Sequence, residues 1–283
     1  SLNPIPTDKF DAIISAGSYL APINLTLSKR LNAKSICIMT PENISLKNFD
    51  LIIVPSHDVI RYPRLKKLQN IFVTTCAPNC ITPDKLKMGI KNISDRLDFS
   101  DTKVRIGILI GGNDQNYFID RKWAERFLET LEKLASVKHF SYLISTSRRT
   151  PTDVVQFLIE KTTKPYFIYR EFVGISSASN YFGILGICDI LLVTEDSVTM
   201  ISEACSTGKP VVVVGSGKRK KKLAFDTTIE NLVRNNYCFY VPAKQLDRLP
   251  DTIIKSLEHN FSLLEDTQKC ALKIAEILNI KKS

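Results

Sequence analysis

The sequence predicts an α/β protein made of two Rossmann-like, doubly wound domains that face a cleft. Three observations carry this reading. Short apolar runs alternate along the chain with segments of helical spacing, the pattern of a mostly parallel sheet. Residues 187–217 read as a buried strand, a polar turn, an amphipathic helix, a Gly-Lys-Pro stop and a second buried strand, a complete βαβ unit. A charged connection over 83–103 separates two stretches with the same βα logic, which puts a domain boundary near residue 100.

In the first domain, 1–100, strands are expected over 12–15, 35–39, 51–54 and 70–74. A helix over 21–31 carries Ile23, Leu27 and Leu31 at helical spacing. The second domain, 101–283, opens with a strand over 104–110 that ends in Gly111, Gly112 and Asn113. A helix over 122–134 follows, with Trp123, Phe127, Leu131 and Leu134 on one face. A strand over 140–145 leads to a helix over 152–161, with Thr150 or Thr152 as its cap and Pro151 in its first turn. Further strands are expected over 166–169, 187–193, 211–214 and 237–241, with a helix over 227–235. Two helices, near 252–259 and 262–278, close the chain, the last expected to pack back on the first domain.

The chain has 283 residues, is 44% hydrophobic and 24% charged, and so has enough apolar material for sizeable cores. No run of about 18 apolar residues is present, which excludes a transmembrane helix, and the N-terminus lacks a basic-then-apolar signal pattern. Seven scattered cysteines fit reduced thiols in a cytoplasmic protein. Cys76 and Cys80 have no matching second pair, so no zinc site is expected. The net charge of +10 suits an anionic partner, nucleotide phosphates or an anionic membrane surface, though a solvated lysine-rich surface explains it equally. No nucleic-acid module is recognisable, so no specific nucleic acid is expected.

Open α/β sheets bind ligands outside the carboxyl ends of their strands, so the strand ends hold the candidate residues. Gly111 and Gly112 let a backbone approach a phosphate or sugar closely; a tight strand exit is the plainer reading. The spacing is not Gly-x-Gly-x-x-Gly, so no nicotinamide or flavin cofactor is implied. Arg148 and Arg149 sit at another strand end, where one guanidinium can grip a diphosphate while the other diverges. Asp196, Thr199 and Glu203 share a helix face, and Glu203 is placed to accept hydrogen bonds from sugar hydroxyls. Glu195 and Asp196 would repel an anion at that helix start; capping, a metal or an acceptor hydroxyl are the alternatives. Lys218, Arg219, Lys220, Lys221 and Lys222 follow another strand and read either as a solvated loop or as a contact to acceptor phosphate or anionic lipid headgroups. His57 beside Asp58 is a candidate general base.

Together these motifs resemble a known family. Val-Pro-Ser-His-Asp (54–58), Ile-Gly-Gly-Asn (110–113), Ser-Thr-Ser-Arg-Arg-Thr-Pro (145–151), Val-Thr-Glu-Asp-Ser-Val-Thr-Met-Ile-Ser-Glu-Ala (193–204) and Thr-Gly-Lys-Pro-Val (207–211) occur in this order. The chain resembles the "elongated mitochondria" mitochondrial-fission family of plants and its bacterial relatives. The resemblance implies a glycosyltransferase-B-like arrangement, with an acceptor-side first domain and a nucleotide-sugar-side second domain. It puts diphosphate and ribose contacts on Gly111, Gly112, Arg148, Ser197 and Glu203. Members begin with a further strand, Gly-rich turn and helix before residues 11–17, so the first domain is expected to be reduced. The functional expectation is a nucleotide-diphosphate-sugar protein, without cofactor or metal, transferring sugar to an envelope glycolipid precursor. It would be cytoplasmic or peripheral to the inner membrane. The alternative is a non-catalytic adaptor acting at a membrane surface or on a partner protein.

Overall fold

A computed structural model describes residues 9–97, 104–137, 139–174, 180–218 and 224–280. The chain divides into two compact units, one formed by residues 1–79 with 265–283 and the other by residues 80–264.

In the first unit, β1 (Ala12–Ala16), α1 (Gly17–Leu31), β2 (Lys34–Ile38), β3 (Leu51–Pro55), α2 (Ser56–Arg61) and β4 (Ile71–Thr74) alternate. The strands pair in parallel in the order β1-β2-β3-β4. β3 is buried throughout, as its unbroken Leu-Ile-Ile-Val run requires of a strand covered on both faces. Helix α1 starts earlier than its apolar spacing suggests and contains Pro22 in its first turns. Asn24 replaces an apolar core residue there. Its amide donates to the carbonyls of Ile13 (3.0 Å) and Ile36 (2.9 Å), which fixes α1 on the sheet.

The second unit runs α3 (Pro83–Ser94), β5 (Val104–Ile110), β6 (Tyr117–Phe118), α4 (Arg121–Val137), β7 (Phe140–Thr146), α5 (Thr152–Lys161), β8 (Phe167–Glu171), α6 (Tyr181–Ile187), β9 (Ile190–Thr194), α7 (Val198–Cys205), β10 (Val211–Val214), β11 (Gly217–Lys218), α8 (Ala224–Arg234), β12 (Phe239–Val241) and α9 (Leu249–Leu257). The closing helix α10 (Asp266–Ile277) belongs to the first unit, where Cys270 joins Ile36, Leu51 and Ile53 in a buried cluster. The six parallel strands of the second unit lie in the order β12-β10-β9-β5-β7-β8. The chain thus fills one half of the sheet (β5, β7, β8) and then returns to fill the other (β9, β10, β12), the doubly wound order. Helix α4 buries Trp123, Phe127, Leu131 and Leu134 on the expected face, and the Trp123 indole donates to the Gly215 carbonyl at 2.8 Å. Gly208, at φ +74°, and Pro210 end the α7 region as their residue types predict.

The structure departs from the sequence reading in the connection over 83–103. Residues 83–94 form a helix, N-capped by Thr82, whose hydroxyl accepts from the Lys85 amide at 3.3 Å. Gly89 falls within the expected connection; in the fold it is where α6 crosses. A Cβ on Gly89 would lie 2.5 Å from the Gly183 nitrogen, and one on Gly183 would lie 2.6 Å from the Gly89 carbonyl oxygen. This close crossing ties α3 to the second unit, so the division falls at 79/80 and not near 100. Residues 187–189 precede β9 as the end of α6 and a turn, because the apolar run of α6 merges with that of the strand. Residues 56–58 form the start of α2, so His57 and Asp58 lie on a helix. Among the described residues no helix is long and apolar enough to cross a membrane.

Replacing Gly183 by Ala adds helix propensity worth about 0.5–1 kcal/mol. The added methyl meets backbone that cannot yield, and overpacking costs about 1–3 kcal/mol. The steric term wins. Urea unfolding of Gly183→Ala should show a net loss of stability, whereas a neutral or stabilised variant would contradict the crossing.

Candidate functional site

The strand order places a topological switch point between β5 and β9, the position where open α/β sheets form their ligand crevice. Gly111 and Gly112 leave β5 there, and Thr194 to Ser197 leave β9. Their backbones and side chains are joined. The Gly111 amide donates to Thr194 Oγ1 at 2.8 Å and the Gly112 amide to Asp196 Oδ2 at 2.8 Å. The Thr194 hydroxyl donates to Asp196 Oδ1 at 2.6 Å. A Cβ on Gly111 would land on the Asp196 carboxylate, and one on Gly112 on the Arg149 carbonyl. The glycines are therefore needed for packing within the protein, and their amides already have acceptors.

The loop after β7 closes on the same point. Arg149 Nη2 lies 2.8 Å from Asp196 Oδ2, and its Nη1 lies 3.8 Å from Asp114 Oδ2. The Asn113 amide donates to the Arg149 carbonyl at 2.9 Å, and the Asn113 side chain accepts from the Ile119 amide at 2.7 Å. Thr150 does not cap α5: its hydroxyl donates to the Gly111 carbonyl, and Pro151 occupies the cap position. Arg148 is exposed and makes no hydrogen bond or ion pair among the described residues. Of the two adjacent arginines, Arg149 is built into the loop junction and Arg148 is left to solvent.

Glu195 points the other way, toward β10 and β12. It accepts from the Ser216 amide (2.7 Å) and the Tyr240 hydroxyl (2.8 Å), and Lys218 Nζ lies 3.1 Å away. Lys218 also meets Asp226 at 2.7 Å. Both carboxylate side chains are fully buried. Burial pushes the pKa of each above the usual carboxylate range; the bonds from Tyr240, Lys218 and Ser216, and from Thr194, Gly112 and Arg149, pull the other way. Burial disfavours the charge of Lys218, but Asp226 and Glu195 outweigh it and raise its pKa. Neither carboxylate caps α7. Ser197 does, its hydroxyl accepting from the Met200 amide at 3.4 Å.

The two carboxylates that would repel an anion at this helix start are thus each faced by a cation. The first amides of α7 have no intrahelical acceptor and carry the positive end of the helix dipole. Glu203 lies further along α7, half-buried, with the Tyr181 hydroxyl donating to its Oε2 at 2.8 Å. Burial raises its pKa, and Tyr181 opposes this. Among the described residues no group of three His, Cys, Asp or Glu side chains is placed to hold a metal ion.

His57 and Asp58 lie in the first unit, on α2, both buried. His57 Nε2 is 3.6 Å from Asp58 Oδ1, and the Thr40 hydroxyl donates to Asp58 Oδ2 at 2.6 Å. Burial lowers the His57 pKa, which keeps the imidazole neutral at pH 7. Lys218 belongs to the Glu195 network, whereas Arg219, Lys220, Lys221 and Lys222 lie outside the described residues. The sequence gives no signal for Tyr181, Tyr240 or Asp226, which reach Glu203, Glu195 and Lys218 only through the fold.

The family model for mitochondrial fission ELM1 matches residues 3–278. The chain belongs to this family. Among similar proteins, the Rickettsia prowazekii (strain Madrid E) protein RP120 is 25% identical over 96% of this chain and 81% of its own length. The Arabidopsis thaliana mitochondrial fission protein ELM1 is 30% identical over 63% of this chain and 45% of its own. The chain thus matches less than half of the plant protein's length. Among solved structures, the S. aureus MnaA–UDP co-structure aligns with a TM-score of 0.54 at 11% identity, over 96% of this chain and 76% of that one. That likeness places the ELM1-family chain in a glycosyltransferase-B-like fold with Rossmann-like domains.

Asp196→Ala removes the acceptor of the Gly112 amide and of the Thr194 hydroxyl, both buried. Each orphaned donor costs about 1–3 kcal/mol. Chemical denaturation should show a clear loss for Asp196→Ala, while Arg148→Ala stays within about 0.5 kcal/mol of the parent, as for an unengaged surface side chain. Equal effects of the two would refute the assignment of Arg149, not Arg148, to the junction.

Proposed function

We propose that the second unit binds a nucleotide-diphosphate sugar of the uridine class at the β5/β9 switch point and transfers the sugar to an envelope glycolipid precursor. The observation that carries the reading is the set of groups left unengaged there. The α7 N-terminus offers free amides to a diphosphate, Arg148 offers a free guanidinium, and Glu203 keeps one carboxylate oxygen for ribose hydroxyls. Tyr181 holds the other oxygen and so fixes the rotamer of Glu203. Asp196 and Glu195 hold the surrounding loops rigid, which lowers the ordering cost of binding. In a transfer step the positive helix end and Arg148 would stabilise the charge developing on the departing diphosphate, without proton transfer to it. The MnaA structure, solved with UDP, supports the choice of donor class.

A second reading, an adaptor on the same fold, is favoured by α1, which exposes Tyr19, Leu20 and Ile23 on the first unit. Calorimetric titration with UDP, GDP, ADP and CMP separates the two. The expected result is saturable binding of UDP, weakened about tenfold or more by Glu203→Ala, as for a lost hydrogen bond to a charged group. Arg148→Ala should weaken it as well. No saturable binding by any nucleotide, or binding indifferent to Glu203→Ala, would sink the transferase reading and leave the adaptor.

A further inference from the structure

Helix α1 of the first unit wears its amphipathicity inside out. It buries Ala21, Asn24 and Ser28 against the sheet, while Leu20 and Ile23 are about half exposed and Tyr19 is 97% exposed. A surface helix ordinarily turns its apolar stripe inward. Here the Asn24 amide, bonded to two strand carbonyls, anchors the inner face, and the outer face keeps the larger apolar side chains.

Helices α1 and α2 and the short helix Pro63–Lys67 form one layer. Ala21, Val59 and Leu65, one from each, are buried in a single cluster with Cys37, Ile52 and Val54 of the sheet. These three elements carry six exposed cations, Lys29, Arg30, Arg61, Arg64, Lys66 and Lys67, against one carboxylate, the buried Asp58. None of the six forms an ion pair among the described residues. Arg61 and Arg64 instead lie over the Tyr62 ring, 5.1 and 5.8 Å from its centroid. Glu42, an exposed carboxylate of the neighbouring loop, accepts from the Tyr62 hydroxyl at 3.3 Å, and its amide donates to Ser18 Oγ at 2.9 Å. Through Glu42 the arginine–tyrosine stack therefore adjoins the first turn of α1, where Tyr19 and Leu20 project. Even with Glu42 counted, six cations meet two carboxylates. Helix α10, which covers the other face of the sheet, balances Lys269 and Lys273 with Asp266 and Glu276.

We propose that this layer docks the protein on an anionic bilayer surface. The cations of residues 61–67 and of the end of α1 meet lipid phosphates, each worth about a fivefold gain in affinity. Tyr19, Leu20, Ile23 and the half-exposed Ile60 enter the headgroup boundary, where an aromatic ring with a polar tip and aliphatic side chains are both accommodated. A nucleic acid would use the charge but leave the aliphatic side chains in water. The surface belongs to the first unit and does not rest on the nucleotide reading.

Sedimentation of the full chain with vesicles tests this, using phosphatidylcholine alone and phosphatidylcholine mixed with phosphatidylglycerol. Binding should require the anionic lipid. The triple variant Arg64→Ala, Lys66→Ala, Lys67→Ala should weaken it about a hundredfold. Tyr19→Ser with Ile23→Ser should weaken it at least about fivefold. A control of equal net charge, Lys122→Ala, Lys161→Ala, Lys269→Ala, removes cations from outside the layer and should bind as the parent does. Circular dichroism confirms the fold of each variant. Glu203→Ala should leave vesicle binding unchanged, so failure here and failure of nucleotide binding remain separable. Three results would overturn the proposal: equal binding to vesicles without phosphatidylglycerol, equal weakening by the control triple variant, or tighter binding to a DNA duplex than to the anionic vesicles.

Discussion

The carboxylate of Asp196 is the group around which the second unit is organised. It is fully buried, and a buried carboxylate is tolerated only where charge and hydrogen bonds compensate its lost hydration. Its partners come from three separate strand ends: the Gly112 amide after β5, the Arg149 guanidinium after β7 and the Thr194 hydroxyl at the end of β9. The three loops therefore have one arrangement in which the charge is satisfied. That requirement explains the local sequence. Glycine is needed at 111 and 112 because a side chain would occupy the space of the carboxylate or of the Arg149 backbone. Thr150 is held by the Gly111 carbonyl, which anchors the Arg149 loop from its other side.

Glu195 extends the same logic across the other half of the sheet. Consecutive residues of a turn diverge, so Asp196 serves the β5 and β7 side while Glu195 serves the β10 and β12 side. Ser216, Lys218 and Tyr240 are its partners. The acidic pair thus joins the two halves of a doubly wound sheet at the point where their order reverses. The groups that remain free, Arg148, the first amides of α7 and one oxygen of Glu203, are displayed on a framework whose own charges are already neutralised. In the proposed function, this separation of framing groups from displayed groups is what would let an anionic ligand approach the switch point despite its two carboxylates.

Much of this was legible in the sequence, for identifiable reasons. Parallel strands buried on both faces must be continuous apolar runs, so β5, β9 and β10 announce themselves, and the Trp123-Phe127-Leu131-Leu134 spacing announces α4. The Gly-Gly and Glu-Asp-Ser turns were recognisable as strand exits at a ligand-binding edge. Their chemistry was not, because it depends on which side chain each turn meets: only the fold shows that Asp196 faces the glycines and that Arg149, not Arg148, reaches it. Helix α3 was read as part of a charged connection; its Gly89 serves by its small size the crossing with α6. The boundary was misread with it. Tyr181 stands 22 residues before Glu203, and no local pattern links them.

The discontinuity of the first unit bears on synthesis. Its sheet is complete in sequence by β4, yet the helix that shields Ile36, Leu51 and Ile53 is α10, which follows the whole of residues 80–264. At about 5–20 residues per second, that apolar face waits roughly ten to forty seconds on the ribosome before its cover emerges. The second unit, uninterrupted in sequence, can fold in that interval. The nascent chain therefore passes through a state in which the later-made unit is finished and the earlier-made one still presents an open sheet face, the stage at which a holding chaperone has most to bind.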